Sequence, residues 1–321
     1  MFRWAALLAL AGLAAATGMI IWSGWPQVLQ ALEQAGWGIM AIAIFHIIPI
    51  FISSVGWYVM MPGRQAPALG LVVYFMWIRA AVNNLMPVAR VGGEFAAVRL
   101  MKAHGISTSY AIAANVVELT VSVLALFSFV VIGVILFALR IENAGATGQM
   151  AWGLVCALPV LAAFVAVQRI GIFGLLSRLF HAMFHDKWTA LAGNAARLDR
   201  IVMAFYRHRG RLAACGVLQF VAWALGAVDI WLALQFLGHP LPPSEALMIE
   251  ALIQGSVSAA FAVPGALGVQ EAGFIFFGGM LGLPHEIAAA LAVIRRCRDL
   301  LCYAPGLIVW QTHEGKRLLR S

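Results

Sequence analysis

Four polar side chains stand together inside an apolar stretch near the end of the chain: Arg295, Arg296, Arg298 and Asp299. A charge in a bilayer core costs about 3 kcal/mol on insertion scales and faces a cavity or a partner. Arginine is a forked donor suited to phosphate, hydroxyl or carboxylate. On a helix, Arg295 and Asp299 share a face and can pair, whereas Arg298 adjoins Asp299 but projects elsewhere. Two readings follow: a patch that binds a lipid headgroup, or an internal salt bridge that holds the helix in place. Glu94 and Glu271 each follow a proline, Pro87 or Pro264, by seven residues. A glutamate there can accept hydrogen bonds from free backbone donors at a helix start, pair with Arg295, or titrate. Arg79 and Arg90 suit a vestibule that attracts anionic lipid, while Arg99 and Lys102 suit cytoplasmic anchoring. Asn83 and Asn84 are placed to cap or bridge a turn, and Gln254 lies in the second broken region. Glu118 and Asp229 need partners, for which an arginine of the last apolar stretch is a candidate. The candidate substrate-binding residues are therefore Arg79, Asn83, Arg90, Glu94, Gln254, Glu271, Arg295, Arg296, Arg298 and Asp299.

The elements that must hold these residues are set by composition. Of 321 residues, 63% are hydrophobic and 11% charged, against about 25% charged in a soluble domain. That excludes a conventional soluble enzyme and a disordered chain. A bilayer span takes about 20 apolar residues. Six stretches qualify, at residues 1–22, 37–61, 110–139, 150–167, 212–237 and 287–310. The first has a signal-peptide look, but a polytopic chain favours a retained span. Pro49 is expected to kink the second. Residues 68–104 and 244–284 begin apolar but are broken by Pro, Gly and charge. Each reads as a helical hairpin that dips into the membrane and returns, which is allowed only beside protein or a watery cavity.

The net charge of +8 would suggest nucleic acid in a soluble protein; here it tests the topology and implies no nucleic-acid partner. With the N-terminus in the cytoplasm and both hairpins re-entering, seventeen Lys and Arg lie inside and only Arg140 outside, with three inside the last span. Both termini are then cytoplasmic. Residues 169–211 form a cytoplasmic loop whose part at 172–188 is amphipathic and suited to anionic headgroups. His181 and His185 are four apart, a spacing that can share a metal, but only Asp186 offers a third ligand, so they read as interfacial histidines. Cys156, Cys215, Cys297 and Cys302 read as free thiols, and no cofactor is implied.

The two hairpins resemble each other. The Pro–Glu spacing is the same, Gly105 and Gly282 follow each glutamate by eleven residues, and an offset of 177 places Glu118 opposite Arg295. The expected architecture is an all-α polytopic membrane protein of about six full spans plus two re-entrant hairpins in an inverted-repeat arrangement. It forms one integral membrane domain over residues 1–321, with repeat cores at about 68–139 and 244–310. Gly278 and Gly282 form a small-xxx-small pair suited to close packing. No phosphate loop, G-x-S-x-G elbow or H-E-x-x-H motif is present, which argues against an ATP-driven pump or an enzyme.

The stretch from Asn83-Asn84 and Pro87 through Gly92-Gly93-Glu94 to Arg99, with Val263-Pro264-Gly265, Gly268 and Gln270-Glu271, resembles the lysylphosphatidylglycerol synthase transmembrane-domain (flippase-like) family. Glu250 to Gln254 and Arg296 to Asp299 are most similar to its hopanoid biosynthesis-associated branch. The resemblance implies a bacterial inner-membrane protein that moves lipid between leaflets, with a hopanoid or an anionic phospholipid as its partner. It also implies a homodimer or contacts with hopanoid-pathway proteins as assemblies to test. The synthase proper carries a soluble aminoacyl-transferase domain after the membrane part; no such domain follows here before Ser321, so that activity is not carried over. A lipid-modifying enzyme and a non-catalytic membrane partner are the rival expectations.

Overall fold

The computed structural model describes residues 25–63, 65–86, 92–140, 189–260 and 266–318, with Gly148 and Val263. No strand occurs among them. In chain order the helices are α1 (Trp25–Ala35), α2 (Gly38–Phe45), α3 (Ile47–Met60), α4 (Leu69–Leu85), α5 (Gly92–Ala103) and α6 (Thr108–Arg140). They continue as α7 (Thr189–Arg207), α8 (Arg209–Phe236), α9 (Pro243–Ala259), α10 (Val269–Met280) and α11 (His285–Leu318). Among the described residues, three segments are long and apolar enough to cross a membrane: Gly38–Met60, which joins α2 and α3, Thr108–Arg140 and Arg209–Phe236. The expected spans at 1–22 and 150–167 and the amphipathic stretch at 172–188, with His181 and His185, lie outside the described residues. The expected last span falls within α11, whose 34 residues carry the four-residue polar group.

The break in the second expected span comes at His46, not at Pro49. Proline has no N–H, and its ring crowds the carbonyl four residues back. That carbonyl belongs to Phe45, the last residue of α2, so the interruption falls one turn before the proline. His46 is left at the junction with its ring free to point inward.

Both broken regions fold as helix, break, helix. Gly93 sits against the carbonyl of Arg79 while the His104 ring meets Phe75 at 5.3 Å, so α4 and α5 run antiparallel. With 17 and 12 residues, they reach about 25 and 18 Å at 1.5 Å per residue. Both lengths are short of a hydrocarbon core of about 30 Å.

The internal repeat holds in backbone detail. The start and end of α5, the following glycine and the start of α6 are residues 92, 103, 105 and 108; their counterparts around α10 and α11 are 269, 280, 282 and 285, an offset of 177 throughout. Gly105 and Gly282 have φ +84° and +85°. Gly105 N donates to Lys102 O and Ile106 N to Met101 O; Gly282 N donates to Gly279 O and Leu283 N to Gly278 O. Both are the same left-handed helix stop, in which glycine carries no Cβ penalty. Packing follows suit. Helix α4 packs on α11 as α9 packs on α6, α1 on α11 as α7 on α6, and α3 on α4 as α8 on α9. Each half thus lends its first helix to the other half's last, and two buried apolar clusters result. One gathers Ile42, Phe137, Leu234 and Ile253; the other gathers Trp57, Phe75, Met101 and Phe205. Exposed Ile44, Ile47, Phe51, Val217 and Ile308 clothe the outside in apolar side chains, as a lipid solvent requires.

Candidate functional site

Glu118 and Arg295 each lie ten residues into their long helices, α6 and α11. At 1.5 Å per residue this is about 15 Å from the helix start, half the depth of a bilayer core. Around each is a buried ionic cluster.

In the first half, Arg79 of α4 forms a very short ion pair with Glu118 of α6 and a longer one, 3.4 Å, to Glu94 of α5. Its guanidinium lies 5.0 Å from the Trp57 ring centroid, a cation–π contact that offsets part of its desolvation. Gln219 of α8 donates to Glu118 at 2.8 Å and accepts from Ser53 of α3 at 2.8 Å. Asn83 caps α5: its Oδ1 accepts from Gly93 N at 2.8 Å, and its Nδ2 donates to Glu94 at 3.4 Å. Asn84 instead donates to the Ala80 carbonyl on its own helix. Arg90 lies outside the described residues.

In the second half the polarity of the pair is reversed. The arginine sits on the long helix and the glutamate on the hairpin: Arg295 grips Glu250 of α9 with two hydrogen bonds of 2.5 and 3.1 Å. Gln254, one turn further along α9, donates to the same carboxylate at 2.7 Å. Glu271 accepts from Gly268 N at 2.8 Å, which satisfies a free backbone donor at the start of α10. It also receives Arg296 at 2.9 Å.

The expected Arg295–Asp299 pair does not form. Arg298 does not project elsewhere but donates to Asp299 at 2.6 and 3.1 Å and to Asp229 of α8 at 2.7 Å. The reason is the carboxylates that reach α11 from other helices. Glu250 captures Arg295 from α9, which leaves Asp299 to the arginine beside it. Asp229 does find an arginine of α11, whereas Glu118 is served by Arg79 within its own half. His46 then completes a chain: one ring nitrogen is 2.6 Å from Asp229 and the other 3.0 Å from the Tyr303 hydroxyl.

Both clusters open on one cavity of about 430 Å³. Arg79, Asn83, Glu94, Gln254, Arg295, Arg298 and Asp299 line it, so seven of the ten sequence-derived candidates meet there. Glu271 and Arg296 are not in the lining; they pair with each other and so bind α10 to α11. The lining also holds His46, Gln219, Glu250, Trp223, Gln270 and Tyr303, which sequence reading did not put in the site. A histidine alone in an apolar span was the available signal for the first of these. Trp223 Nε1, Gln270 Nε2 and Arg295 Nε are buried without hydrogen-bond partners among the described residues. A separate apolar groove of about 530 Å³ runs between α2, α3, α4 and α11 along Ile44, Phe51, Trp77 and Leu301. Ile50 lines both spaces.

Comparison with known proteins gives this geometry a family. The model of the lysylphosphatidylglycerol synthase TM region matches residues 9–306. The UPF0104 membrane protein PH1989 of Pyrococcus horikoshii is 22% identical over 319 residues, covering 94% of each chain. No solved structure matches. The match runs through both hairpins, both ionic clusters and the cavity between them, and the chain belongs to the lysylphosphatidylglycerol synthase TM region family.

Proposed function

We propose that this protein translocates a lipid across the bacterial inner membrane, its headgroup passing through the cavity between the two halves while the tails remain in the bilayer. The observation that carries this reading is a polar cavity set beside an apolar groove, with Ile50 in the wall of both. An amphipathic molecule fits that pair of surfaces, and a water-soluble one does not. The unpartnered donors of Trp223, Gln270 and Arg295 suit a headgroup rich in oxygen acceptors. Repeats that meet at a charged cavity about halfway through the bilayer have the layout of secondary transporters. In this reading the seven cavity candidates contact substrate, Glu271 and Arg296 brace the second hairpin, and the short α4–α5 and α9–α10 units are re-entrant. The whole chain acts as one membrane domain with both termini cytoplasmic, and without covalent chemistry. The resemblance of Glu250 to Gln254 and Arg296 to Asp299 to the hopanoid branch makes a hopanoid the first substrate to try, with anionic phospholipid the second; a homodimer and hopanoid-pathway proteins are the partners to look for.

Leaflet exchange in proteoliposomes tests this, with a labelled hopanoid and a labelled phosphatidylglycerol supplied separately. The expected outcome is protein-dependent exchange of one of them with its mass unchanged. A product of altered mass would make the protein an enzyme, and exchange no faster than in protein-free vesicles for both lipids would remove the transport reading.

A further inference from the structure

The charges around the cavity do not balance. Among the described residues of the two ionic clusters, three guanidinium groups, Arg79, Arg295 and Arg298, meet five carboxylates, Glu94, Glu250 and Asp299 in the cavity lining and Glu118 and Asp229 outside it. Glu271 and Arg296 neutralise each other outside the lining. Two negative charges are thus in excess among the described residues, in a place where uncompensated charge is expensive.

The excess can be located. Glu118 and Glu250 each hold close guanidinium contacts, and Asp299 takes two bonds from Arg298. Glu94 reaches Arg79 and Asn83 only at 3.4 Å. Asp229 shares Arg298 with Asp299, has one buried oxygen without a hydrogen bond among the described residues, and lies against His46. A metal ion needs several oxygen or nitrogen ligands around one point. No group of three His, Cys, Asp or Glu side chains fit to hold one occurs among the described residues. A proton needs only one lone pair, and histidine–carboxylate chains at membrane depth are its usual carriers.

We propose that the cavity is a proton-binding site with two positions, one on Glu94 and one shared by His46 and Asp229, and that lipid movement is coupled to their occupancy. The groups that set the first position are Arg79 and Asn83 on α4 and Glu118 on α6. Those that set the second are Asp229 on α8 and Arg298, Asp299 and Tyr303 on α11, with Arg79 of α4 lining the same cavity. The coupling rests on the transport reading, but proton binding does not, so the two are tested apart.

The test is an infrared pH titration of the full chain in detergent, reading the protonated-carboxyl band without any lipid transport. The expected result is a band present at pH 7 that fades as the pH rises, and that Glu94→Gln and Asp229→Asn each weaken. Retention of fold is checked by circular dichroism, and His46→Gln serves if Asp229→Asn fails to fold. Absence of the band at pH 7, or a band equally strong in the wild type and the folded variants, overturns the proposal. The ammonium of a zwitterionic headgroup is the other source of positive charge. Loss of the band when lysophosphatidylethanolamine is added at constant pH would assign the positions to that headgroup and overturn proton coupling; its persistence supports the proton.

Discussion

Arg295→Ala is expected to destabilise the protein by about 3–5 kcal/mol, the cost of leaving a buried carboxylate without its partner. Glu250 is 2% exposed and would keep only the Gln254 amide. The informative comparison is the double variant Arg295→Leu with Glu250→Leu. Replacing both members of a buried pair by apolar groups of similar size is often neutral or stabilising. The double variant should therefore recover folding, measured by thermal unfolding in detergent, yet show no lipid exchange. Recovery of both would make the pair a structural brace with no part in transport. The same logic applies to Arg79 and Glu118, where the reversed polarity places the 0% exposed carboxylate on the long helix.

Gly93→Ala is expected to have the second largest effect. A Cβ at this position would stand 2.3 Å from the Arg79 carbonyl oxygen and 2.6 Å from the Asn83 side chain. The first of these is backbone and cannot rotate away. The hairpin must open, which costs about 1–3 kcal/mol as overpacking, and the cap from Asn83 to Gly93 N is lost with it. Because Arg79 and Glu94 sit on the two arms being forced apart, exchange should fall by more than stability does. Gly279→Ala is the control: its Cβ would meet nothing within 4 Å, and alanine is the better helix former by about 1 kcal/mol. A Gly93→Ala protein with wild-type exchange would show that the closed hairpin is not needed.

The sequence made some of this legible and hid the rest for physical reasons. The repeat was visible because its markers are backbone constraints. A left-handed stop needs glycine, so Gly105 and Gly282 keep the register of α5–α6 and α10–α11. The intramembrane charges were visible because they are few. Their partners were not, since an (i, i+4) rule sees only one helix. Arg295 and Asp299 satisfied that rule and did not pair, because Glu250 and Asp229 reach α11 from α9 and α8. Glu271 occupies a position matched to Glu94, yet it caps its helix and holds Arg296 while Glu94 lines the cavity. The likeness of spacing carried the backbone over and left the role of the side chain open. His46 escaped because its importance depends on a break that Pro49 causes one turn earlier.

The central claim is that lipid headgroups pass through the cavity. Ser258 lines it and is absent from the ion-pair and hydrogen-bond chains described above. The direct measurement is leaflet exchange by Ser258→Cys in proteoliposomes, before and after a sulfonate-bearing thiol reagent, with wild type treated alike to account for its own cysteines. The account predicts exchange that the reagent stops in Ser258→Cys and leaves unchanged in wild type. Exchange that continues at its untreated rate in the fully modified Ser258→Cys protein would contradict it.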